Sequence, residues 1–233
     1  MTLLEFEGVA KSFGRGVQRR VALRNVSLEI AQGEIVAVWG MRRSGRSTLL
    51  RVAAGIEQPD AGVVRFEGRD LAERGCDVLG AGIAYCRKSF RRSEGELVID
   101  HLTVGQLARG VPPALAWRRA RAALERTGTA SCANRRPNEL DSAEGMQVAI
   151  ARAIALQPKL LLVDEPTIGI DLLARDAILL LLRSLADDGL AVLSSTGEST
   201  GLTGARALSL SDGELHGVPA RGLAPVIPLR RSA

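Results

Sequence analysis

Two glycines five positions apart, Gly40 and Gly45, follow an apolar run and precede a stretch with the spacing of a helix. The segment from Gly40 to Ser47 fits the pattern G-x-x-x-x-G-K-S/T, except that Arg46 stands where the lysine is expected. The apolar run, residues 35–38, has the composition of a buried strand. A strand, a glycine loop and a helix N-terminus in this order direct backbone N–H groups toward an anion. The segment therefore predicts a phosphate-binding loop, against the alternative of a strand-to-helix turn that binds nothing.

A second apolar run, residues 160–163, ends in two neighbouring carboxylates, Asp164 and Glu165. In an open parallel sheet the strand ends and the glycine loop meet along one edge, where the ligands of α/β proteins bind. We expect Asp164 and Ser47 to hold Mg²⁺, and Glu165 to orient or deprotonate an attacking water. For this segment taken alone, the alternative is an acidic pair on the surface before a turn.

The composition of the 233-residue chain, at 46% hydrophobic and 24% charged residues, is that of one domain with a substantial core. Aromatic residues make up 3% of the chain, so a nucleic acid partner that stacks on ring platforms is not expected. The net charge of +5 comes largely from arginine clusters. This charge suits an anionic nucleotide and a neighbouring anionic membrane surface, without establishing either.

The three cysteines, Cys76, Cys86 and Cys132, are widely spaced and accompany no paired histidines. The sequence therefore predicts neither a disulfide framework nor a zinc site, which favours a reducing compartment. No run approaches 18 consecutive apolar residues, and the N-terminus lacks the basic and apolar segments of a signal peptide. We therefore expect a chain that is itself soluble and cytoplasmic.

Hydrophobic periodicity divides the chain into a strand-rich first third, a helical middle and a mixed final third. Strands are predicted at residues 3–7, 21–29, 34–39, 62–66, 82–85, 160–163, 190–195 and 206–210. Helices are predicted at residues 47–54, 104–109, 114–126, 143–157 and 172–186. The expected organisation is one domain over residues 1–217, with a helical subdomain at about 90–155, and a proline-containing tail over residues 218–233.

Two stretches carry a resemblance to a known family. Residues 148–153 read Val-Ala-Ile-Ala-Arg-Ala, and residues 160–167 read Leu-Leu-Leu-Val-Asp-Glu-Pro-Thr. With the phosphate loop, they make residues 3–217 similar to the ATP-binding subunits of ABC (ATP-binding cassette) transporters. The resemblance implies an α/β fold, a P-loop NTPase core of the ABC ATPase type with an antiparallel β subdomain and a helical insert. It also implies that two such subunits sandwich two ATP molecules, each between one phosphate loop and the partner's Leu-Ser-Gly-Gly-Gln signature.

The same resemblance assigns residues around the nucleotide. It implies that Phe13 stacks on adenine, with an ordinary core ring as the alternative for this residue. It places Asp171 at the contact between the two subunits. The residues that would hold ATP through its phosphates are Gly40, Ser44, Gly45, Arg46, Ser47 and Thr48. ATP and Mg²⁺ are therefore the expected cofactors.

The signature is where the sequence departs most from the family. At the family's spacing from Asp164 it falls on residues 140–144, so Asp141 replaces its serine, and Ser142 and Ala143 follow. A carboxylate at about 4 Å from the partner's γ-phosphate would raise the energy by roughly 4 kcal/mol at an effective dielectric near 20. Closure over the partner's ATP is then strongly disfavoured. A register shift of one residue would instead place Ser142 at the serine position.

Two switch positions and the loop itself are also altered. The family's glutamine after the strand at 82–85 aligns with Lys88, and the histidine that contacts the γ-phosphate aligns with Gly197. Arg46 keeps the positive charge of lysine but is bulkier and forked, so it is not a neutral replacement at a tight phosphate site.

The subfamily stays open on these residues. Arg46 and the serines at 194–195 are similar to the second ATPase half of ribose- and galactose-type importers, whereas residues 120–126 and 206–214 look more like exporters of the lipoprotein-release and macrolide type.

We expect an ATP-binding subunit on the cytoplasmic face of the cell membrane that works with transmembrane permease subunits and a second ABC ATPase subunit. Its hydrolysis would be weak or dependent on that ATPase. The rivals are an active homodimeric ATPase and a nucleotide sensor or scaffold outside transport.

Overall fold

A six-stranded sheet carries both predicted motifs. This computed structural model describes residues 1–14, 16–73, 82–87, 96–197 and 204–217, so Lys88 and the predicted tail over residues 218–233 lie outside the described residues. In spatial order the strands are β10 (Glu214–Gly217), β9 (Arg206–Ser211), β3 (Ile35–Trp39), β8 (Ala191–Thr196), β7 (Leu160–Asp164) and β6 (Ile83–Cys86). All pairs are parallel except that of β10 with β9.

The order of the strands brings the two motifs to one edge. β8 pairs in parallel with β3 on one side and with β7 on the other, so the carboxyl ends of these strands lie side by side. The register pairs Trp39 with Thr196 and Asp164 with Ser195. All of β7 is buried, as its apolar run predicts for a central parallel strand. The phosphate loop after β3 and the acidic pair after β7 therefore meet.

A second, antiparallel sheet packs its apolar face into the same core. Its strands, in spatial order, are β2 (Arg20–Ala31), β1 (Thr2–Phe13), β4 (Ala61–Phe66) and β5 (Arg69–Asp70). The strand predicted at residues 3–7 is too short, because β1 continues through an irregularity at Gly8. This glycine has a φ of +59°, and its N–H donates to Ser27 Oγ at 3.1 Å. The predicted antiparallel β subdomain is confirmed.

The described residues contain five α-helices. They are α1 (Arg46–Ala53), α2 (Val98–Leu107), α3 (Pro113–Arg126), α4 (Ser142–Ile154) and α5 (Leu172–Asp187). None of them is long and apolar enough to cross a membrane. The chain between β6 and β7 includes α2, α3 and α4, which pack around a core of their own with Leu102, Leu124 and Val148 at its centre. The predicted helical insert is therefore confirmed. On its surface Trp117 is 48% exposed, with the Arg121 guanidinium 5.5 Å from the ring centroid.

The prediction of a helix at residues 104–109 is wrong about where that helix begins. α2 begins at Val98, where the Leu97 N–H donates to Asp100 Oδ2 at 3.1 Å. Val98 and Leu102 are buried in the core of the insert, whereas Val104 is 59% exposed. Packing of the first turn against α3 and α4 therefore extends the helix toward its N-terminus, beyond what the local pattern predicts.

The described thiols are buried. Cys86 and Cys132 are free cysteines, and Cys76 lies outside the described residues. Burial raises the pKa of Cys86 to about 12, so this thiol stays protonated and unreactive at neutral pH.

Candidate nucleotide-binding site

A cleft of about 1380 Å³ opens at the carboxyl edge of the six-stranded sheet. Residues 40–48, the turn after β7 and the ends of β1 and β8 form its walls. Its lining includes six arginines, Arg20, Arg42, Arg43, Arg46, Arg51 and Arg175. Among the described residues that line it, Glu165 is the only acidic one. This balance of charge suits a polyanionic ligand.

Close backbone approach requires both glycines of the loop. At Gly40 a Cβ would lie 2.4 Å from the Leu210 carbonyl oxygen, and at Gly45 it would lie 2.0 Å from the Ala22 carbonyl oxygen. Gly45 also has a φ of +109°, which side chains disfavour. α1 begins at the next residue, and no side chain caps its first N–H groups. The loop therefore presents the N-terminus of α1 to an anion in the cleft.

A buried ion pair joins the loop to the acidic pair. Arg46 Nη2 donates to Glu165 Oε1 at 2.7 Å, across 119 positions of sequence. The two residues are 5% and 8% exposed. Removing either partner would leave a buried charge without its counter-ion. The residue that replaces the expected lysine thus contacts the candidate catalytic carboxylate directly, a contact that the motif alone does not predict.

The backbone of Glu165 lies in the left-handed region, with a φ of +49°. Its N–H donates to Ser195 Oγ at 3.0 Å and to the Ser195 carbonyl oxygen at 3.2 Å. A conformation of this kind costs about 1–3 kcal/mol and persists where neighbouring contacts enforce it. β8 therefore fixes the turn from which the Glu165 side chain reaches Arg46.

Asp164 is the centre of a network of hydroxyl groups. Its Oδ1 accepts from Ser195 Oγ at 2.7 Å and from Ser47 Oγ at 3.1 Å, and its Oδ2 accepts from the Tyr85 hydroxyl at 3.3 Å. Burial and the neighbouring Asp164 carboxylate raise the pKa of Tyr85 above its usual range, so the phenol remains a donor. The predicted pair of Ser47 and Asp164 is thus brought together. Ser195 and Tyr85 were missed, although their places at the ends of strands beside β7 offered a signal.

Four buried polar atoms around the loop have no hydrogen-bond partner in the described part of the chain. They are Trp39 Nε1, Ser44 Oγ, Arg46 Nη1 and Arg51 Nε. Buried polar groups are nearly always satisfied. Three of these atoms belong to residues that line the cleft, Ser44, Arg46 and Arg51. The two arginine nitrogens are donors and the serine hydroxyl can donate, so they fit a phosphate group.

The donor set also fits Mg²⁺ beside a phosphate. No cluster of three or more histidine, cysteine or acidic side chains among the described residues could hold a metal by itself. Mg²⁺ is usually bound by one or two protein groups, with phosphate and water supplying its other ligands. Ser47 Oγ and Asp164 Oδ1, which lie 3.1 Å apart, match that mode of binding.

The remaining predicted nucleotide contacts lie around the cleft. Phe13 lines it at the end of β1 and is 37% exposed, with the Lys11 ammonium 5.6 Å from its ring centroid. It is thus a rim residue and not a core ring, and its stacking on adenine stays a prediction. Thr48 and Gly197 also line the cleft, whereas Lys88 lies outside the described residues.

The predicted signature lies apart from this lining, at the start of α4. Asp141 is exposed and caps the helix, because its Oδ1 accepts the Glu144 N–H at 2.8 Å. Glu144 Oε2 accepts the Asp141 N–H at 3.1 Å, which completes a capping box. Ser142 and Ala143 are the first two residues of the helix. Asp141 therefore has a structural role that the spacing Asp-x-x-Glu before a helix could have predicted.

Glu144 is held on a second side by an arginine. Arg135 Nη1 donates to Glu144 Oε1 at 2.6 Å. The hydrogen bonds from Arg135 and from the Asp141 N–H lower the pKa of Glu144 below its usual value. The start of α4 is therefore a set of charged groups that stabilise one another at the surface.

Asp171 lies next to exposed apolar residues. Its Oδ1 accepts the N–H groups of Leu173 and Ala174 at 3.1 and 3.0 Å, and so caps α5. Ile168, Leu172 and Leu173 are 58%, 75% and 84% exposed. Exposed apolar residues grouped beside a charged cleft suit contact with another protein surface. The predicted role of Asp171 at a subunit contact is compatible with this position and stays a prediction.

Comparison with known proteins identifies the family through its sequences. The ABC transporter family model matches residues 23–168. The lipoprotein-releasing system ATP-binding protein LolD of Roseobacter denitrificans is 35% identical over 209 residues, which cover 83% of this chain and 88% of that protein. The macrolide export ATP-binding/permease protein MacB of Nitrobacter winogradskyi is 33% identical over 216 residues, which cover 91% of this chain. The match covers 34% of MacB, so the chain spans about a third of that relative's length.

Solved structures give the same assignment. The dimeric structure of a post-hydrolysis state of the ATP-binding cassette MJ0796, bound to ADP and Pi, aligns with a TM-score of 0.85 at 25% identity. That alignment covers 95% of this chain and all of the MJ0796 chain. A nucleotide-free ATP-binding cassette of an ABC transporter aligns with a TM-score of 0.81 over 94% of this chain, at 23% identity, and shows the shared fold. The predicted P-loop core of the ABC ATPase type is confirmed, and the chain belongs to the ABC transporter family.

Proposed function

We propose that the protein is the ATP-binding subunit of an ABC membrane transporter, with hydrolysis that depends on a second ABC ATPase subunit. The observation that carries this proposal is the buried contact between Arg46 and Glu165 beside the bonded pair of Ser47 and Asp164. The cleft supports the proposal, because residues 40–48 and Glu165 line it, its charge suits a nucleotide, and Asp164 is bonded to Ser47 in that lining.

Each group in the cleft has a proposed task. The backbone N–H groups of the loop hold the phosphates, and Phe13 stacks on adenine. Ser47 and Asp164 hold Mg²⁺, which when bound neutralises charge on the phosphate oxygens. Glu165 orients a water molecule toward the terminal phosphate and accepts its proton.

The dependence on a second subunit rests on the start of α4. Asp141 presents an exposed carboxylate where the family's signature has a serine that faces the partner's γ-phosphate. Two copies of this chain would therefore oppose two carboxylates to two triphosphates. A partner with an intact signature removes that repulsion from the site built on this chain's own phosphate loop. The proposed ATPase partner is accordingly a different ABC cassette.

The membrane partners are proposed from the relatives. LolD is named for a lipoprotein-releasing system, and MacB is named as an export protein that combines ATP binding with a permease. We place this chain on the cytoplasmic face of the membrane, bound to the transmembrane permease subunits of an export system. The net charge of +5 suits that neighbourhood. No nucleic acid partner is proposed.

ATP turnover of the purified chain, alone and mixed with an intact-signature ABC cassette encoded beside its gene, tests the proposal. We expect little turnover from the chain alone and a rise of about tenfold or more in the mixture, equivalent to about 1.4 kcal/mol. The substitution Glu165→Gln in this chain should abolish the rise while keeping the size of the side chain. If the rise survives this substitution, the activity belongs to the other subunit's site. If the chain alone matches the mixture, the active homodimer is correct instead.

A further inference from the structure

The two terminal nitrogens of the Arg46 guanidinium differ in their hydrogen bonding. Its Nη2 donates to Glu165 Oε1 at 2.7 Å. Its Nη1 is buried and has no hydrogen-bond partner among the described residues. A guanidinium carries its donors in a rigid fork, so the two ends can bind two acceptors at the same time. The end that is not used by Glu165 is therefore available to an acceptor in the cleft.

The free end of Arg46 lies beside a residue that has no side chain. A Cβ built at Gly197, which follows β8, would lie 3.9 Å from Arg46 Nη1. Both residues line the cleft. A methyl group fits at that distance, but the outer atoms of a larger side chain at position 197 would clash with the Arg46 guanidinium. Arg46 thus reaches into the part of the cleft that a side chain at position 197 would otherwise enter.

The position of Glu165 indicates which phosphate would lie near Arg46 Nη1. If Glu165 orients the attacking water, the phosphate under attack is the terminal one, and it lies near that carboxylate. Arg46 Nη2 is bonded to the same carboxylate. Under that condition, Nη1 of the same guanidinium would meet the terminal phosphate and not the inner ones. The inner phosphates are the ones that the loop N–H groups hold.

We infer that Arg46 and Gly197 act as a pair, in which Arg46 binds the terminal phosphate of a nucleoside triphosphate through Nη1 in the room left by Gly197, while Nη2 stays bonded to Glu165. Arg46 is then the residue that distinguishes a triphosphate from a diphosphate. This inference rests on the proposed function, because it requires a nucleotide in the cleft. It explains why the loop carries arginine in a chain that has glycine at position 197. A lysine, with a single ammonium, lacks the fork that spans both acceptors.

Titration calorimetry with Mg-ATP and with Mg-ADP tests the pairing. The substitution Arg46→Lys should weaken ATP binding by about tenfold or more, because a charge-assisted hydrogen bond is lost, and should weaken ADP binding by less than about threefold. Gly197→His alone should also lower the ratio of ATP to ADP affinity, because its ring enters the room of the guanidinium. The double variant should recover most of the ATP affinity that Arg46→Lys loses, since the histidine ring then occupies the space and can donate to the phosphate.

Two matched controls accompany these variants. Gly197→Ala adds only a Cβ at an ordinary contact distance, so it should lower the ratio of ATP to ADP affinity much less than Gly197→His does. Arg42→Lys, on the cleft wall, should lower both affinities by the same small factor. Thermal unfolding of each variant confirms that it is folded.

Three outcomes separate the possibilities. Equal losses of ATP and ADP affinity in Arg46→Lys would overturn the pairing but leave the proposed nucleotide site standing. Purely additive effects of Arg46→Lys and Gly197→His would also overturn it, because coupled residues must deviate from additivity. If the unmodified chain binds neither nucleotide at millimolar concentration, both the pairing and the proposed function are wrong.

Discussion

The phosphate-loop cleft and the start of α4 each carry a changed motif residue, and the two residues are accommodated in opposite ways. In the cleft, Arg46 is 5% exposed and its charge is matched by Glu165 within the same chain. At the start of α4, Asp141 is exposed and its carboxylate caps its own helix. The first change is compensated internally, whereas the second directs a negative charge outward. The contrast teaches that the charge of Arg46 is paired within the chain, whereas the charge of Asp141 stays at the surface, where it would act on a second protein chain.

The largest expected effect tests the outward charge. Asp141→Ser removes the carboxylate but keeps a good helix cap, so it isolates the effect of charge. In a Glu165→Gln background, which slows hydrolysis, we expect it to form an ATP-dependent homodimer where the chain with Asp141 stays monomeric. Each of the two contacts then loses up to about 4 kcal/mol of repulsion. Sedimentation velocity with and without Mg-ATP measures the change.

Asp141→Asn is the matched control, since it keeps the size and the capping ability of the side chain while removing its charge. It should also promote the dimer. An ATP-dependent homodimer of the unmodified chain would break the comparison, because Asp141 would then not oppose closure.

A smaller effect tests the internal compensation. Glu165→Ala leaves the buried Arg46 without its partner and should lower the free energy of unfolding by about 3 kcal/mol. The double variant Arg46→Ala and Glu165→Ala should lose less than the sum of the two single variants. Urea denaturation measures each value. On the surface of α5, Asp187→Ala removes the exposed ion pair with Arg183 and should lower the same free energy by less than about 1 kcal/mol. Equal losses of unfolding free energy in Glu165→Ala and Asp187→Ala would show that burial does not strengthen the ion pair between Arg46 and Glu165.

The smallest expected effect concerns pH at the start of α4. Because Arg135 and the Asp141 N–H lower the pKa of Glu144 below its ordinary value of 4.5, its ionised form stabilises the folded chain above that pH. The contribution is lost as the pH falls through the lowered pKa. Glu144→Gln keeps the capping box and should lower the free energy of unfolding at pH 7 by less than about 1 kcal/mol. Urea denaturation at several pH values should show the difference shrink toward acid; a constant difference would assign it to the hydrogen bonds and not to the charge.

The elements around the cleft were predictable because their signals are local. An apolar run followed by glycines, and a second run followed by Asp164 and Glu165, specify strand ends, and a parallel sheet brings such ends together. The helical insert was also predictable in kind. Its first helix was placed too late, because burial of Val98 and Leu102 against other helices decides where it begins.

The contacts that define the cleft were less predictable. Arg46 and Glu165 are 119 positions apart, and no local rule indicates that a forked side chain would bridge the two motifs. Ser195 contacts both Asp164 and Glu165 only because of the strand order, which places β8 between β3 and β7. The cap at Asp141 is different, since the spacing Asp-x-x-Glu before a helix is a local signal for it.

The positions of Trp39 and Trp117 allow two different events to be followed by intrinsic tryptophan fluorescence. These two residues are the tryptophans of the chain. Trp39 comes directly before the phosphate loop, with a buried indole N–H that has no partner in the described residues, and Trp117 lies exposed on α3. Indole fluorescence responds to the polarity and hydrogen bonding around the ring, so we expect a change in the loop that begins at Gly40 to alter the emission of Trp39. Covering the outer face of the helical insert alters that of Trp117. Replacing either ring with phenylalanine leaves a single emitter, so the two events can be followed separately in an unlabelled protein.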